Sequence, residues 1–205
     1  MKPVPKLWPG QTVTLIAGGP SLTVADVEAV RGQTRVIAVN DAYKLAPWAD
    51  VLYAADRQWI EDWHQGVPDF AGMKYSIESA NPTTRADWTV LRNTGPEGLE
   101  LDPSGLRTGS NSGYQALNLA VHLGAASILL LGFDMGNDGT QTHWFGDHPV
   151  HRISPYAQMC AAFETLVDPL KSVGVSVVNC SRRTALTAFP CAPLKTELAR
   201  LECAA

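Results

Sequence analysis

Four short apolar runs in this chain each stop at a glycine, asparagine or aspartate, and helical spacing fills much of the sequence around them. Thr12–Ala17 stops at Gly18-Gly19, Arg35–Val39 at Asn40-Asp41, Asp50–Ala55 at Asp56-Arg57, and Ser127–Leu131 at Gly132-Phe133-Asp134. Apolar, β-branched runs of about four to eight residues bounded by turn formers read as strands buried on both faces. Thr23 with Asp26 forms a capping-box pattern that opens a helix through Val30, with Gly32 as its stop. The spacing predicts further helices over Ser112–Leu123 and Tyr156–Val173, the latter closed by Gly174, and shorter ones at Gln58–His64 and Lys195–Leu201. Met73–Ile77 and Ser176–Asn179 add two strands, while between Gly66 and Pro103 the pattern otherwise fades into glycine, proline, threonine and asparagine. Strands alternating with helices imply an α/β, Rossmann-like, doubly wound and mostly parallel sheet with an elaborated late loop, Gly132–Pro155. Residues 1–10, with three prolines, read as a flexible N-terminal arm, and residues 11–205 as one Rossmann-like domain.

Composition narrows the classes of function. The chain has 205 residues, 45% hydrophobic and 18% charged, which suits a globular core rather than disorder. Its longest apolar run, Ala125–Phe133, is far too short to span a bilayer. Lys2 and Lys6 precede no apolar segment of the kind a secretory leader needs, so the expected location is the cytoplasm. A net charge of −4 argues against stable nucleic-acid binding. Cys160, Cys180, Cys191 and Cys203 form no C-x-x-C pair, and read as reduced, mostly buried thiols.

The strand ends carry the candidate chemistry. Gly18-Gly19-Pro20-Ser21 lacks the third glycine of a dinucleotide fingerprint and the Gly-Lys-Ser/Thr of a P-loop. Its place after the first strand nevertheless suits a phosphate-binding turn. Asn40, Asp41, Asp56 and Asp134 would share the carboxyl edge of a parallel sheet, where such folds keep their ligands, although Asn and Asp are also ordinary turn formers. Gly109-Ser110-Asn111-Ser112-Gly113 places asparagine where a nucleophile elbow needs serine, so it reads as a binding loop at a helix N-terminus. Arg107, just before it, has a planar fork suited to phosphate. His143-Trp144-Phe145-Gly146-Asp147-His148, with His151, offers imidazoles as general bases, with Asp147 able to orient a neighbour. The three histidines match no standard zinc spacing, and Asp134–Gly139 lacks the acids of a calcium loop. Trp59 and Trp63 read as helix residues covering a core edge. Trp88 and Trp144 stand in or beside loops, where an indole can stack on a base or sugar.

Four blocks in order give the chain a family likeness: Gly18–Leu22; Val39-Asn40; Thr108–Gly113 through Ala120 and Gly124 to Leu131-Gly132-Phe133-Asp134; and His143–His148 with Asn179-Cys180-Ser181 to Ala188-Phe189. It resembles the bacterial lipooligosaccharide sialyltransferases and the related domain of 6-hydroxymethylpterin diphosphokinase-like proteins, and is also similar to short phage proteins, for which the host cytoplasm would be the location. The resemblance implies a nucleotide-activated donor, a CMP-sugar or another NDP-sugar, and a hydroxyl acceptor. It implies donor contacts at Gly18, Gly19, Pro20, Ser21, Asn40, Ser110, Asn111, Ser112 and Gly113, and a general base at His143 or His148; Asp56, Arg107 and Asp134 join the candidate donor contacts from their own places at strand ends and beside the loop. A diphosphokinase-like rival would add ATP and Mg2+ on Asp56 and Asp134. A third reading is a nucleotide-binding phage accessory protein without turnover. A homo-oligomer is open on each reading.

Overall fold

The computed structural model describes residues 1–65, 67–80, 87–137, 139–146 and 154–204. Its strands are β1 (Thr12–Ile16), β2 (Arg35–Val39), β3 (Val51–Tyr53), β4 (Met73–Ile77), β5 (Trp88–Asn93), β6 (Gly105–Leu106), β7 (Ser127–Leu131) and β8 (Ser176–Asn179). They make one sheet in the order β6-β5-β4-β3-β2-β1-β7-β8. Every neighbouring pair is parallel. Helices α1 (Val24–Val30), α2 (Ser112–Leu123), α3 (Tyr156–Ser172) and α4 (Leu194–Ala204) complete the framework. The expected doubly wound α/β sheet is therefore the observed one. Val13, Leu15, Ile16, Ile37, Leu52 and Leu130 are fully buried, which is why these strands show no alternating pattern.

The winding reverses at β1. From β1 the chain steps outward through β2 to β6. Then α2 carries it back across β1 and β2, and β7 pairs on the opposite side of β1. Loops leaving the carboxyl ends of β1 and β7 therefore diverge, and the gap between them is where an open α/β sheet admits a ligand.

Local signals account for the best-matched elements. Thr23 Oγ1 accepts from the Asp26 N–H and the Asp26 carboxylate accepts from the Thr23 N–H, closing the capping box of α1. α2 ends at Gly124, whose φ of +103° is the left-handed stop glycine permits. Strands β5 and β6 escaped the sequence reading. β5 is half-exposed near the sheet edge, and β6 has two residues, too few for any period.

Two expectations are corrected. The N-terminal segment is docked, not loose: Val4 and Trp8 are buried, their N–H groups donate to Pro103 O (2.8 Å) and Leu123 O (2.7 Å), and Gly10 N donates to Gly124 O (3.1 Å). Prolines restrain such an arm without stopping its two apolar side chains from being buried. The thiols are not mostly buried. Cys180 is, and burial pushes its thiol up to about 12, but Cys191 and Cys203 are exposed. Among the described residues no helix is long and apolar enough to cross a membrane.

Candidate functional site

A cleft of about 650 Å3 opens along the carboxyl edge of the sheet. Gly18, Gly19, Asn40, Asp56, Ser110, Asn111, Ser112, Gly113, Asp134 and His143 all line it. Segments more than a hundred residues apart in sequence thus share one wall, as expected for strand ends in a parallel sheet.

The turn after β1 is held by β7. Gly19 N donates to Gly132 O at 2.8 Å, and a Cβ on Gly19 would stand 2.3 Å from Asp134 Oδ1 and 2.6 Å from Gly132 O. Only glycine permits that approach. The Asp134 carboxylate accepts from Ser21 N (2.7 Å) and from Ser21 Oγ (2.9 Å), and both residues are buried. This corrects the expected role of Ser21, which is spent on Asp134, while Pro20 and Ser21 are not part of the cleft wall. Asp134 does line the cleft, but its oxygens brace the turn.

The loop after β8 supports the other side of this joint. Ser181 Oγ accepts from Phe133 N (2.8 Å), Thr184 Oγ1 donates to Phe133 O (2.7 Å) and Ala185 N donates to Asp134 O (2.8 Å). Arg182 reaches both oxygens of Asp26 at 2.8 and 3.0 Å. Burial acts to raise the Asp26 pKa, but the Arg182 and Thr23 hydrogen bonds outweigh it and hold the carboxyl below its ordinary value. The Asn179-Cys180-Ser181 block of the sequence is therefore a bracket behind the site.

Across the cleft lies the N-terminus of α2. Asn111 caps it, its side chain accepting from Tyr114 N at 3.0 Å, with Asn111 Nδ2 3.3 Å from Met159 Sδ. Its amide oxygen thus serves the helix, leaving the N–H groups of Ser112 and Gly113 without intrahelical partners at the cleft. Ser110 sits at φ +49°, and Gly109 does too, where a Cβ would fall 2.2 Å from the Tyr114 ring. A Cβ on Gly113 would strike Phe133 at 2.6 Å. Arg107 is a second correction: it pairs with Glu100 at 3.6 Å, packs over Gly95 and does not line the cleft. Gln115, hidden in an apolar helix pattern, was missed. It lines the cleft floor, donating to Thr108 O (2.9 Å) and accepting from the fully buried Tyr53 hydroxyl (2.6 Å). Burial drives the Tyr53 pKa well above its usual value, so the phenol remains a donor.

At the end of β2, Asn40 takes φ +50° and its Oδ1 is buried with no partner among the described residues. Asparagine tolerates this left-handed conformation because its short side chain can bond locally; here it does not, so a buried acceptor is left for a ligand donor. Asp41 is 4% exposed and contacts three partners: Lys44 Nζ at 2.6 Å, His64 Nε2 at 3.2 Å and Trp59 Nε1 at 2.7 Å. Burial pushes its carboxyl up, but the Lys44 and Trp59 hydrogen bonds and the Lys44 charge pull it below the ordinary range. Tyr43 Oη lies 3.1 Å from His64 Nδ1, and Trp59 lies against the His64 ring at 4.2 Å. The sequence marked Asp41 only as a strand-end acid, because its partners arrive from the following turns. Asp56 accepts from Trp59 N at 3.2 Å and so begins the π-helical turn Trp59–Trp63. Trp59 is buried, as expected of a core-edge residue, yet one side of it lines the cleft, as does Trp63.

His143 closes the cleft from above β1. A Cβ on Gly18 would stand 3.0 Å from His143 Cδ2, and Trp144 N donates to Gly18 O at 3.1 Å. Thr142 Oγ1 lies 2.9 Å from His143 Nδ1. Asp147, His148 and His151 lie outside the described residues, as does Asp138 of the discounted calcium loop. Among the described residues no three His, Cys, Asp or Glu side chains group as a metal site.

No protein-family model matches this chain, and no curated protein matches it in sequence. In structure it is similar to the MAf glycosyltransferase from Magnetospirillum magneticum AMB-1, with a TM-score of 0.62 at 12% identity. The match covers 98% of this chain and 39% of that one, so the chain spans about two fifths of its length, and what is shared at this identity is the fold.

Proposed function

We propose that this chain is a transferase that passes a glycosyl group from a nucleotide-activated donor to a hydroxyl acceptor. One observation carries the reading: the Gly18-Gly19 turn and the N-terminus of α2, where the Ser112 and Gly113 N–H groups have no intrahelical partner, face one cleft at the point where the sheet's winding reverses, and an imidazole stands over it. Backbone N–H groups at a helix N-terminus bind phosphate oxygens without a side-chain charge. The fold shared with a glycosyltransferase agrees with this reading. The resemblance to sialyltransferases favours a CMP-sugar as donor.

In the proposed step, His143 takes the proton of the acceptor hydroxyl as its oxygen bonds to the anomeric carbon. The bond from that carbon to the phosphate oxygen breaks, and its electron pair leaves with the nucleotide. In the tautomer whose Nδ1–H donates to Thr142 Oγ1, 2.9 Å away, Nε2 carries the lone pair that receives the proton. The cleft contributes proximity, and the base about 10²–10⁴-fold in rate. Asn40 Oδ1, buried and without a partner, would accept from a ligand O–H or N–H.

The test is a thermal-shift panel of CMP, CDP, UDP, GDP, ADP and ATP, each with and without magnesium, followed by CMP release from a CMP-sugar. A ligand at a hundredfold excess over its Kd stabilises the fold by about 2.7 kcal/mol. A magnesium-independent shift with CMP, and turnover lost in His143→Ala, are the expected results. A shift with ATP that requires magnesium would replace the reading by phosphoryl transfer. Silence across the panel, or full turnover in both His143→Ala and His148→Ala, would refute it, and full turnover in His143→Ala alone would move the base to His148.

A further inference from the structure

The turn that follows β2 reaches the histidine over β1 through an aromatic ring. Lys44 Nζ, 2.6 Å from the buried Asp41 carboxylate, stands 5.8 Å from the centroid of the Phe145 ring. Phe145 stacks on His143 with centroids 5.0 Å apart and planes 15° from parallel. The His143 ring covers Gly18, and His143 N donates to Gly146 O at 3.1 Å while Gly146 N donates to His143 O at 3.0 Å, closing a tight turn around Phe145. Asp41, Lys44, Phe145 and His143 therefore form a continuous line of contacts from one strand end to the next.

We infer that Lys44, held by Asp41, is a positioning residue that fixes the His143 imidazole over the cleft through the face of Phe145. A cation over an aromatic face is attracted by the ring quadrupole, and a ring that both meets a cation and stacks on an imidazole cannot swing away without losing both contacts. Asp41 is suited to hold the ammonium because it is buried and fixed from two other directions, by the Trp59 indole N–H at 2.7 Å and by His64 at 3.2 Å. The salt bridge itself is half-exposed on the lysine side, at 45%, so its value lies in the direction it gives the ammonium rather than in bulk stability. Neither Lys44 nor its ammonium lines the cleft, which separates this role from phosphate binding.

This inference rests on the reading of His143 as the base, and the experiment separates the two. Lys44→Met and Lys44→Arg are compared with the unaltered chain. Three quantities are read: the ring-proton NMR resonances of His143, the Kd for CMP, and kcat with a CMP-sugar. The Phe145 ring current shields a stacked imidazole, so Lys44→Met should move the His143 resonances downfield and Lys44→Arg should return them. The same variant should lower kcat about two- to fivefold, the value of an exposed cation–π contact, with the CMP Kd unchanged. Unmoved His143 resonances in a folded Lys44→Met protein overturn the positioning role. So does a weakened CMP Kd with those resonances unmoved, which would make Lys44 a phosphate contact. Resonances that move while kcat stays constant support the positioning role and instead defeat His143 as the base.

Discussion

Replacing Asp134 with alanine separates a brace from a ligand contact. Asp134 is 6% exposed and accepts two hydrogen bonds from Ser21, at 2.7 Å from its N–H and 2.9 Å from its hydroxyl. Hydrogen bonds to a charged group contribute about 1.5–3 kcal/mol each, and deleting the acceptor leaves two buried donors unpaired. The two bonds share one carboxylate and are not additive, so the expected loss is about 3–5 kcal/mol. For a chain of this size that corresponds to a fall in Tm on the order of 6–20 °C. Ser21→Ala leaves the backbone bond in place and removes the hydroxyl, which donates to Asp134 and accepts a long bond from Arg183 N at 3.4 Å, and should cost about 1.5–3 kcal/mol. Urea unfolding of the two single variants and the double variant measures the coupling, which should be at least about 1 kcal/mol, with m-values unchanged. If Asp134→Ala keeps its native Tm while nucleotide binding disappears, the carboxylate serves the ligand and the bracing argument is wrong.

Other perturbations have definite expected outcomes. Trp8→Ala should cost about 3–5 kcal/mol in urea unfolding, because the indole is 4% exposed in the core; a loss near zero would restore the loose arm. Gly109→Ala combines a left-handed φ of +49° with a Cβ 2.2 Å from the Tyr114 ring, and that ring's hydroxyl donates to Gly98 O at 2.8 Å. A loss of about 2–4 kcal/mol is expected, with weaker nucleotide binding, and native stability would refute the packing account. Burial holds the His122 pKa below 6.5, although Gly105 O and nearby carboxylates favour the cation. The folded protein then binds fewer protons than the unfolded chain, so this contribution is complete above about pH 6.5 and is lost as pH falls through the window beneath it. His122→Gln should flatten the urea midpoint against pH there, and an unchanged slope would refute the His122 contribution; Asp26 and Asp41, whose pKa values are lowered, lose their contributions separately, below about pH 4.

The sheet was legible because its central strands are uniformly apolar and stop at turn formers. β2, β7 and β8 begin and end where the sequence placed them, and so does α2. The peripheral strands were not legible, since β5 is half-wet and β6 gains its strand character only by pairing with β5. Within the site, small residues at strand and helix ends were readable as wall. Their individual roles were not. Asn111, Ser21 and Asp134 all carry oxygen atoms suited to a ligand, and all three engage them in hydrogen bonds within the protein, Asn111 and Asp134 as acceptors and the Ser21 hydroxyl as donor to Asp134.

By itself the sequence determined the α/β order, the buried strands and the strand-end loops that meet at one edge, because periodicity, capping and glycine stops act over a few residues. Only the tertiary structure decided which polar groups remain for a ligand, because a hydrogen bond is assigned by the donor that arrives. Ser21 found Asp134, and Asp41 collected Lys44, His64 and Trp59, while Asn40 Oδ1 is buried without a partner among the described residues. Lys44 is a local i,i+3 neighbour, but the other partners lie up to 113 residues away in the chain, and no local pattern records pairings made by packing.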